Sequence, residues 1–173
     1  MNYNLYMSET TTDIYSLLEY LGNILSKKNQ TITTAESCTG GWIGKEITGI
    51  SGSSKWFGSG FITYSNSAKV KILRVNKETL LKEGAVSENV VKEMAIGAMQ
   101  LSRAEYGIAI SGLAGPGGGT KEKPVGTVCF AVGNQDKINT STKLFAGDRD
   151  QVRVQSVQYA LTEMNNFLKV LHN

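Results

Sequence analysis

What most limits how this chain can fold is its alternation of hydrophobic period. Stripes of apolar residues at every third or fourth position, the mark of amphipathic helices, are separated by short β-branched or apolar runs that read as strands. Ile14, Leu17, Leu18, Leu21, Ile24 and Leu25 form the first stripe, which ends at Lys27-Lys28-Asn29. TITTA at 31–35 is the first strand and runs through a turn into a helix over 42–47. A glycine and serine loop at 49–54 precedes a second strand over 61–65, after which Asn66 is placed to cap a short helix carrying Lys69 and Lys71. A weaker helix over 77–82 is followed by a long one capped by Ser87, with Val90, Val91, Met94, Ala95, Ala98 and Leu101 on its apolar face. Residues 107–111 fit a central strand, and 125–132 and 139–145 read as a hairpin turning at Gly133-Asn134. The closing helix, 148–171, places Val157, Ala160, Leu161, Met164, Leu168 and Leu171 on one face. This order predicts a sheet covered by helices on both sides, with at least one antiparallel pair near the end.

With 173 residues, 40% hydrophobic and 19% charged, the chain is expected to form one domain over 13–173, preceded by a polar tail at 1–12 expected to be disordered. Met7 is an alternative start within that tail. Basic residues exceed acidic ones by 18 to 15, but the excess is scattered, so nucleic acid is not an expected partner. The tail has no basic n-region followed by an apolar h-region, and no stretch approaches the roughly 18 apolar residues of a membrane span. A cytoplasmic protein without membrane attachment is expected. The single histidine, His172, is the penultimate residue, and there are two cysteines, Cys38 and Cys129, both expected to be reduced thiols. That scarcity argues against a metal site of the usual Cys/His kind and against Ser-His-Asp or Cys-His catalysis, so a nucleophile here needs another base.

Four segments carry groups able to do chemistry. Glu36-Ser37-Cys38-Thr39-Gly40-Gly41 lies where a strand passes into a helix. Unpaired N–H groups there can hold an anion or a developing oxyanion, although a helix cap and tight turn account for the same residues. Ser37 is favoured over Cys38 as nucleophile because no imidazole or cation flanks the thiol in sequence. Tyr64 and Lys69 follow the second strand: a buried lysine with a lowered pKa can replace histidine as base, and a tyrosine can relay the proton. A solvated helix lysine and a half-buried tyrosine are the plainer alternative, and Lys71 faces another side of the helix. The loop SGLAGPGGGT at 111–120 follows the most apolar strand, where open sheets bind ligands and successive N–H groups can nest a phosphate. It lacks the Gly-Lys-Ser/Thr ending of a P-loop and the dinucleotide fingerprint. Arg149 and Arg153, one helical turn apart after Asp148, can grip a phosphate or carboxylate, or can be solvated neighbours of a capping aspartate.

In order along the chain, TTAESCTGGWIGKEIT, GSSKWFGSGFITYSNSAK, GAVSENVVKEMA, ISGLAGPGGGTKEKPVGTV and FAGDRDQVR resemble the C-terminal domain family of the competence/damage-inducible protein CinA. The resemblance implies an α/β fold, a three-layer α/β/α sandwich around a mixed, mostly parallel sheet. It also implies a homodimer and cofactor-free, metal-independent hydrolysis of nicotinamide mononucleotide to nicotinate mononucleotide and ammonia, in pyridine nucleotide salvage. Carried onto this sequence, it makes Ser37 the nucleophile, Lys69 the base and Tyr64 an aid to proton transfer. Around the small-molecule nucleotide it implies Thr39, Gly40, Gly41, Ser54, Asn66, Ser111, Gly112, Gly115 and an arginine, Arg149 or Arg153. Serine at 111, where many relatives have threonine, keeps the hydroxyl, and the glycines at 117–119 bear on loop mobility. Longer members carry an extra N-terminal domain, for which this chain has no room. The competing expectation is a catalytically silent nucleotide-binding module that regulates a partner; turnover separates the two.

Overall fold

The computed structural model describes residues 13–172; the expectations for the 1–12 tail lie outside them. Its elements are α1 Ile14–Lys28, β1 Ile32–Glu36, α2 Trp42–Thr48, a short 3-10 turn at Ser53–Lys55, β2 Phe57–Ile62, α3 Asn66–Leu73, α4 Lys77–Glu83, α5 Glu88–Ser102, β3 Tyr106–Gly112, β4 Thr127–Asn134, β5 Ile138–Leu144 and α6 Arg149–His172. The helix ends follow from local chemistry. Asp13 accepts from the Tyr15 N–H at the start of α1, and Ser87 accepts from the Val90 N–H at the start of α5. At the start of α6, Asp148 and Gln151 cap each other: the Gln151 N–H donates to Asp148 Oδ1 at 2.9 Å and the Asp148 N–H to Gln151 Oε1 at 2.8 Å.

The strands form one sheet in the order β2-β1-β3-β4-β5. β1 pairs in parallel with β2 and β3, while β4 runs antiparallel to β3 and β5. The sheet is mixed, as expected: β1, β2, β3 and β5 run one way and β4 runs against its two neighbours. A parallel return from β3 needs a crossover segment, and residues 113–126 form no helix to supply one. Alternation along the strands gives the sheet two unlike faces. Ile32, Ile108, Ile110, Val128, Phe130 and Val132 point into a core shared with α1, α2 and α6. Ala35, Ala109, Cys129 and Ala131 point the other way, against α5. The small side chains let α5 lie close: a Cβ on Gly107 would come within 2.9 Å of Met99 Cγ.

Three boundaries and two stripe residues differ from expectation. β2 starts at Phe57 rather than 61, because Gly58 and Gly60 hide its alternation in the sequence; Gly60 is required where the chain passes Thr34, whose Oγ1 would lie 2.5 Å from an added Cβ. Ser65, not Asn66, caps α3. The hairpin turns at 135–137, since the Asn134 side chain accepts from the N–H groups of Asp136 and Lys137 and keeps Gly133 and Asn134 in the strand. Leu101 and Leu171 are exposed: Leu101 lies in the last turn of α5, where Arg103 turns left-handed towards β3, and Leu171 lies at the end of α6.

Candidate active site

The parallel strands end together, at Glu36, Ile62 and Gly112, the edge at which open α/β sheets form crevices. The Ser37 N–H donates to the Ile110 carbonyl at 3.0 Å, which carries the β1–β3 ladder one residue further and sets Ser37 beside Ser111; both are buried. The chain then turns sharply, with the Gly40 N–H donating back to the Ser37 carbonyl at 3.1 Å. Gly40 and Gly41 are left-handed (φ 61° and 93°), and a Cβ on Gly41 would sit 2.7 Å from Ile62 Cδ1, so the turn requires glycine there.

The amides of this turn are not deployed as the sequence suggests. Glu36, 2% exposed, directs its carboxylate at the N-terminus of α2, where Oε2 accepts from Gly41 at 3.0 Å and Ile43 at 3.2 Å, and Oε1 accepts from Gly44 at 3.0 Å. The helix terminus thus already holds an anion from its own chain. The Gly40 and Gly41 N–H groups, expected to face a substrate oxyanion, are engaged internally; the Thr39 N–H has no acceptor among the described residues. Burial pushes the Cys38 thiol up to about 11, so it is protonated near neutrality and Ser37 has no competitor beside it.

Lys69 reaches this turn from α3, whose first turn is held by Ser65 accepting from the Ala68 N–H at 3.1 Å. Lys69 is 1% exposed; its Nζ lies 2.8 Å from Ser37 Oγ and donates to the Thr63 carbonyl at 2.7 Å. The Thr63 N–H in turn donates to the Glu36 carbonyl at 2.9 Å, so Glu36, Ser37, Lys69 and Thr63 close a ring of contacts. Burial pulls the ammonium down to about 8, and the smaller opposing effect of Cys38 does not restore it. No carboxylate pairs with it: the ion pairs among the described residues are Lys45–Glu46 and Arg153–Asp150. A deprotonated amine in this position presents a lone pair to the serine hydroxyl. Lys71 is exposed on another face of α3.

The remaining expected residues divide. Tyr64 is 62% exposed and its hydroxyl accepts from Arg149 Nη2 at 3.0 Å; it hydrogen-bonds to neither Ser37 nor Lys69, so the expected proton relay is not assembled. Arg149 Nη1 donates to the Gly115 carbonyl at 2.7 Å, tying α6 to the glycine loop, while Gly112 ends β3 opposite Val128. Arg153 turns elsewhere: Nη2 donates to the Thr39 carbonyl at 3.0 Å, Nη1 pairs with Asp150 at 3.1 Å, and the guanidinium lies 4.9 Å over the Trp42 ring. The two arginines therefore do not form one fork. Asn66 is exposed in the first turn of α3. Ser54 is also exposed, but its turn precedes β2 at the opposite end of the sheet, apart from Ser37 in this chain. No group of three or more His, Cys, Asp or Glu side chains converges among the described residues. Sequence reasoning missed Glu36 and Thr63 as parts of the site; the signal for Glu36 was a carboxylate directly after a buried strand and before a helix start.

A buried serine and lysine in contact at the ends of parallel strands define a serine-lysine site on a three-layer α/β/α scaffold. The chain belongs to the CinA C-terminal domain family, whose model matches residues 14–168. It is 54% identical over 153 residues to the nicotinamide-nucleotide amidohydrolase PncC of Escherichia coli K12, covering 88% of this chain and 93% of the relative. It is 47% identical over 158 residues to the protein of the same name from Enterobacter agglomerans, covering 90% and 96%. Among solved structures, the competence damage-inducible protein A from Klebsiella pneumoniae superposes with a TM-score of 0.88 at 36% identity, covering 91% of this chain and 98% of that one.

Proposed function

We propose that this chain is a nicotinamide-nucleotide amidohydrolase, releasing ammonia from nicotinamide mononucleotide to leave nicotinate mononucleotide, and that it works in the cytoplasm as a homodimer of single-domain subunits. The observation that carries the reading is the 2.8 Å contact between Ser37 Oγ and a lysine amine whose pKa is about 8, in a chain with relatives of that name. Neutral Lys69 takes the hydroxyl proton as Ser37 Oγ attacks the carboxamide carbon, and the protonated amine then gives that proton to the departing ammonia. Water, deprotonated by Lys69, hydrolyses the ester, and the proton returns to Ser37. The Thr63 carbonyl keeps Nζ on the serine throughout.

Oxyanion stabilisation falls to the Cys38 and Thr39 amides, because the N–H groups of Ser37, Gly40 and Gly41 donate elsewhere; loss of one such donor typically costs about 3 kcal/mol of barrier. Arg149 is the arginine for the substrate phosphate. Its present acceptors, the Gly115 carbonyl and the Tyr64 hydroxyl, are neutral, and a phosphate outcompetes them. In this reading Ser111, next to Ser37 across the β1–β3 ladder, and the loop from Gly112 to Gly115, which Arg149 holds, serve the same substrate. Incubating the protein with nicotinamide mononucleotide and measuring ammonia tests the reading. The wild type releases it and Ser37→Ala does not; binding without turnover by the wild type leaves the silent nucleotide-binding module instead.

A further inference from the structure

We propose that Glu36 is the positioning residue for Ser37: by gathering the first amides of α2 onto its carboxylate, it fixes the 37–41 turn so that the serine oxygen faces Lys69. This rests on the serine-lysine reading of the site but adds a residue that does not touch substrate.

Glu36 stands at the last position of a strand buried along its whole length, where a carboxylate is costly unless its acceptors are filled. Among the described residues no lysine or arginine pairs with it; its partners are the three backbone N–H groups of Gly41, Ile43 and Gly44. α2 has only seven residues and begins at a left-handed glycine without a side-chain cap of its own. The carboxylate of Glu36 is therefore what satisfies the orphan donors of that helix. The arrangement bends the chain back on itself, since donors five to eight residues ahead are drawn onto a side chain immediately before the nucleophile. The main chain of Glu36 is held as well, its carbonyl accepting from Thr63, whose own carbonyl grips Lys69 Nζ. One residue thus fixes both partners of the 2.8 Å contact, through its side chain on the serine turn and through its backbone on the lysine. On the far side, Arg153 holds the Thr39 carbonyl.

Glu36→Gln has nearly the same shape, yet it replaces one acceptor oxygen with an NH₂ that points at backbone N–H groups. The turn must shift, and a displacement of about 1 Å at a reacting group costs about 100-fold in rate. The expected kinetics are a fall of about that size in kcat, KM within about twofold of wild type, and a pH dependence that still rises near 8, because Lys69 stays buried. In Glu36→Ala, formate supplied in solution restores part of the lost rate, whereas chloride does not. A readout independent of amide hydrolysis keeps this separate from the proposed activity. A fluorophosphonate probe needs only an activated serine: the Oγ–P bond forms, the P–F bond breaks, fluoride leaves and the serine proton passes to Lys69. Labelling at Ser37 is about 100-fold slower in Glu36→Gln, with wild-type circular dichroism. Equal labelling rates in wild type and Glu36→Gln, or a wild type that is not labelled at Ser37, overturn the proposal. Failure of ammonia release alone counts against the amidohydrolase reading and leaves this one standing.

Discussion

Replacing Lys69 with methionine should abolish activity and, at the same time, remove a specific pH dependence of stability. In the folded chain the amine titrates at about 8, against an ordinary value of 10.5, because burial disfavours its charged form. The unfolded chain therefore binds the proton more tightly, and folding carries a penalty below pH 8 that fades as the pH rises towards 10.5. With about 1.4 kcal/mol per pH unit, that penalty is about 3 kcal/mol at pH 7. Methionine fills a similar volume without the charge, but it leaves the Thr63 carbonyl and the Ser37 hydroxyl without their partner, which costs about 1–3 kcal/mol at any pH. The absolute stability change at pH 7 is thus a small difference of two similar terms. Its pH dependence is not. Urea unfolding of both proteins from pH 7 to pH 10 should show wild type gaining about 2–3 kcal/mol relative to Lys69→Met across that range. A constant difference over the range would mean that Lys69 is not a buried amine with a lowered pKa, and the reasoning about the base would fail with it.

The same titration governs the rate. Only the neutral amine can accept the serine proton, so kcat/KM should rise about tenfold between pH 7 and pH 9 with a midpoint near 8, read from initial rates of ammonia release; a profile flat across that window contradicts a lysine base. The two arginines should separate kinetically: Arg149→Met raises KM by about tenfold to 100-fold with kcat little changed, through loss of charge-assisted bonds to phosphate. Arg153→Met, which removes the hold on the Thr39 carbonyl, lowers kcat and leaves KM near wild type. Steady-state kinetics that reverse this assignment would put the phosphate on the other guanidinium.

The layered architecture was legible because the periods are strong: the α1 stripe, the α6 stripe apart from Leu171 at its end, and the apolar β3 run pack into the core. β2 was misplaced because two of its residues are glycine, chosen for the close approach to Thr34 rather than for strand preference. Ser37 and Lys69 could be named from residue type and from the shortage of histidine, and the fold brings them into contact from positions 32 apart. What sequence could not convey was direction. Arg149 and Arg153 share a helix face by spacing, yet the first is drawn to the glycine loop and the second to the Trp42 ring and the Thr39 carbonyl. The Glu36 carboxylate occupies a helix terminus that spacing alone offered to a substrate.

The claim that Ser37 Oγ attacks the carboxamide is tested most directly by rapid acid quench during turnover of nicotinamide mononucleotide, followed by mass analysis of the peptide containing residue 37. The wild type should carry a nicotinate mononucleotide acyl adduct on Ser37, and Ser37→Ala, which is also inactive, should carry none. An adduct on a different side chain, or a Ser37→Ala protein that releases ammonia at the wild-type rate, would contradict it.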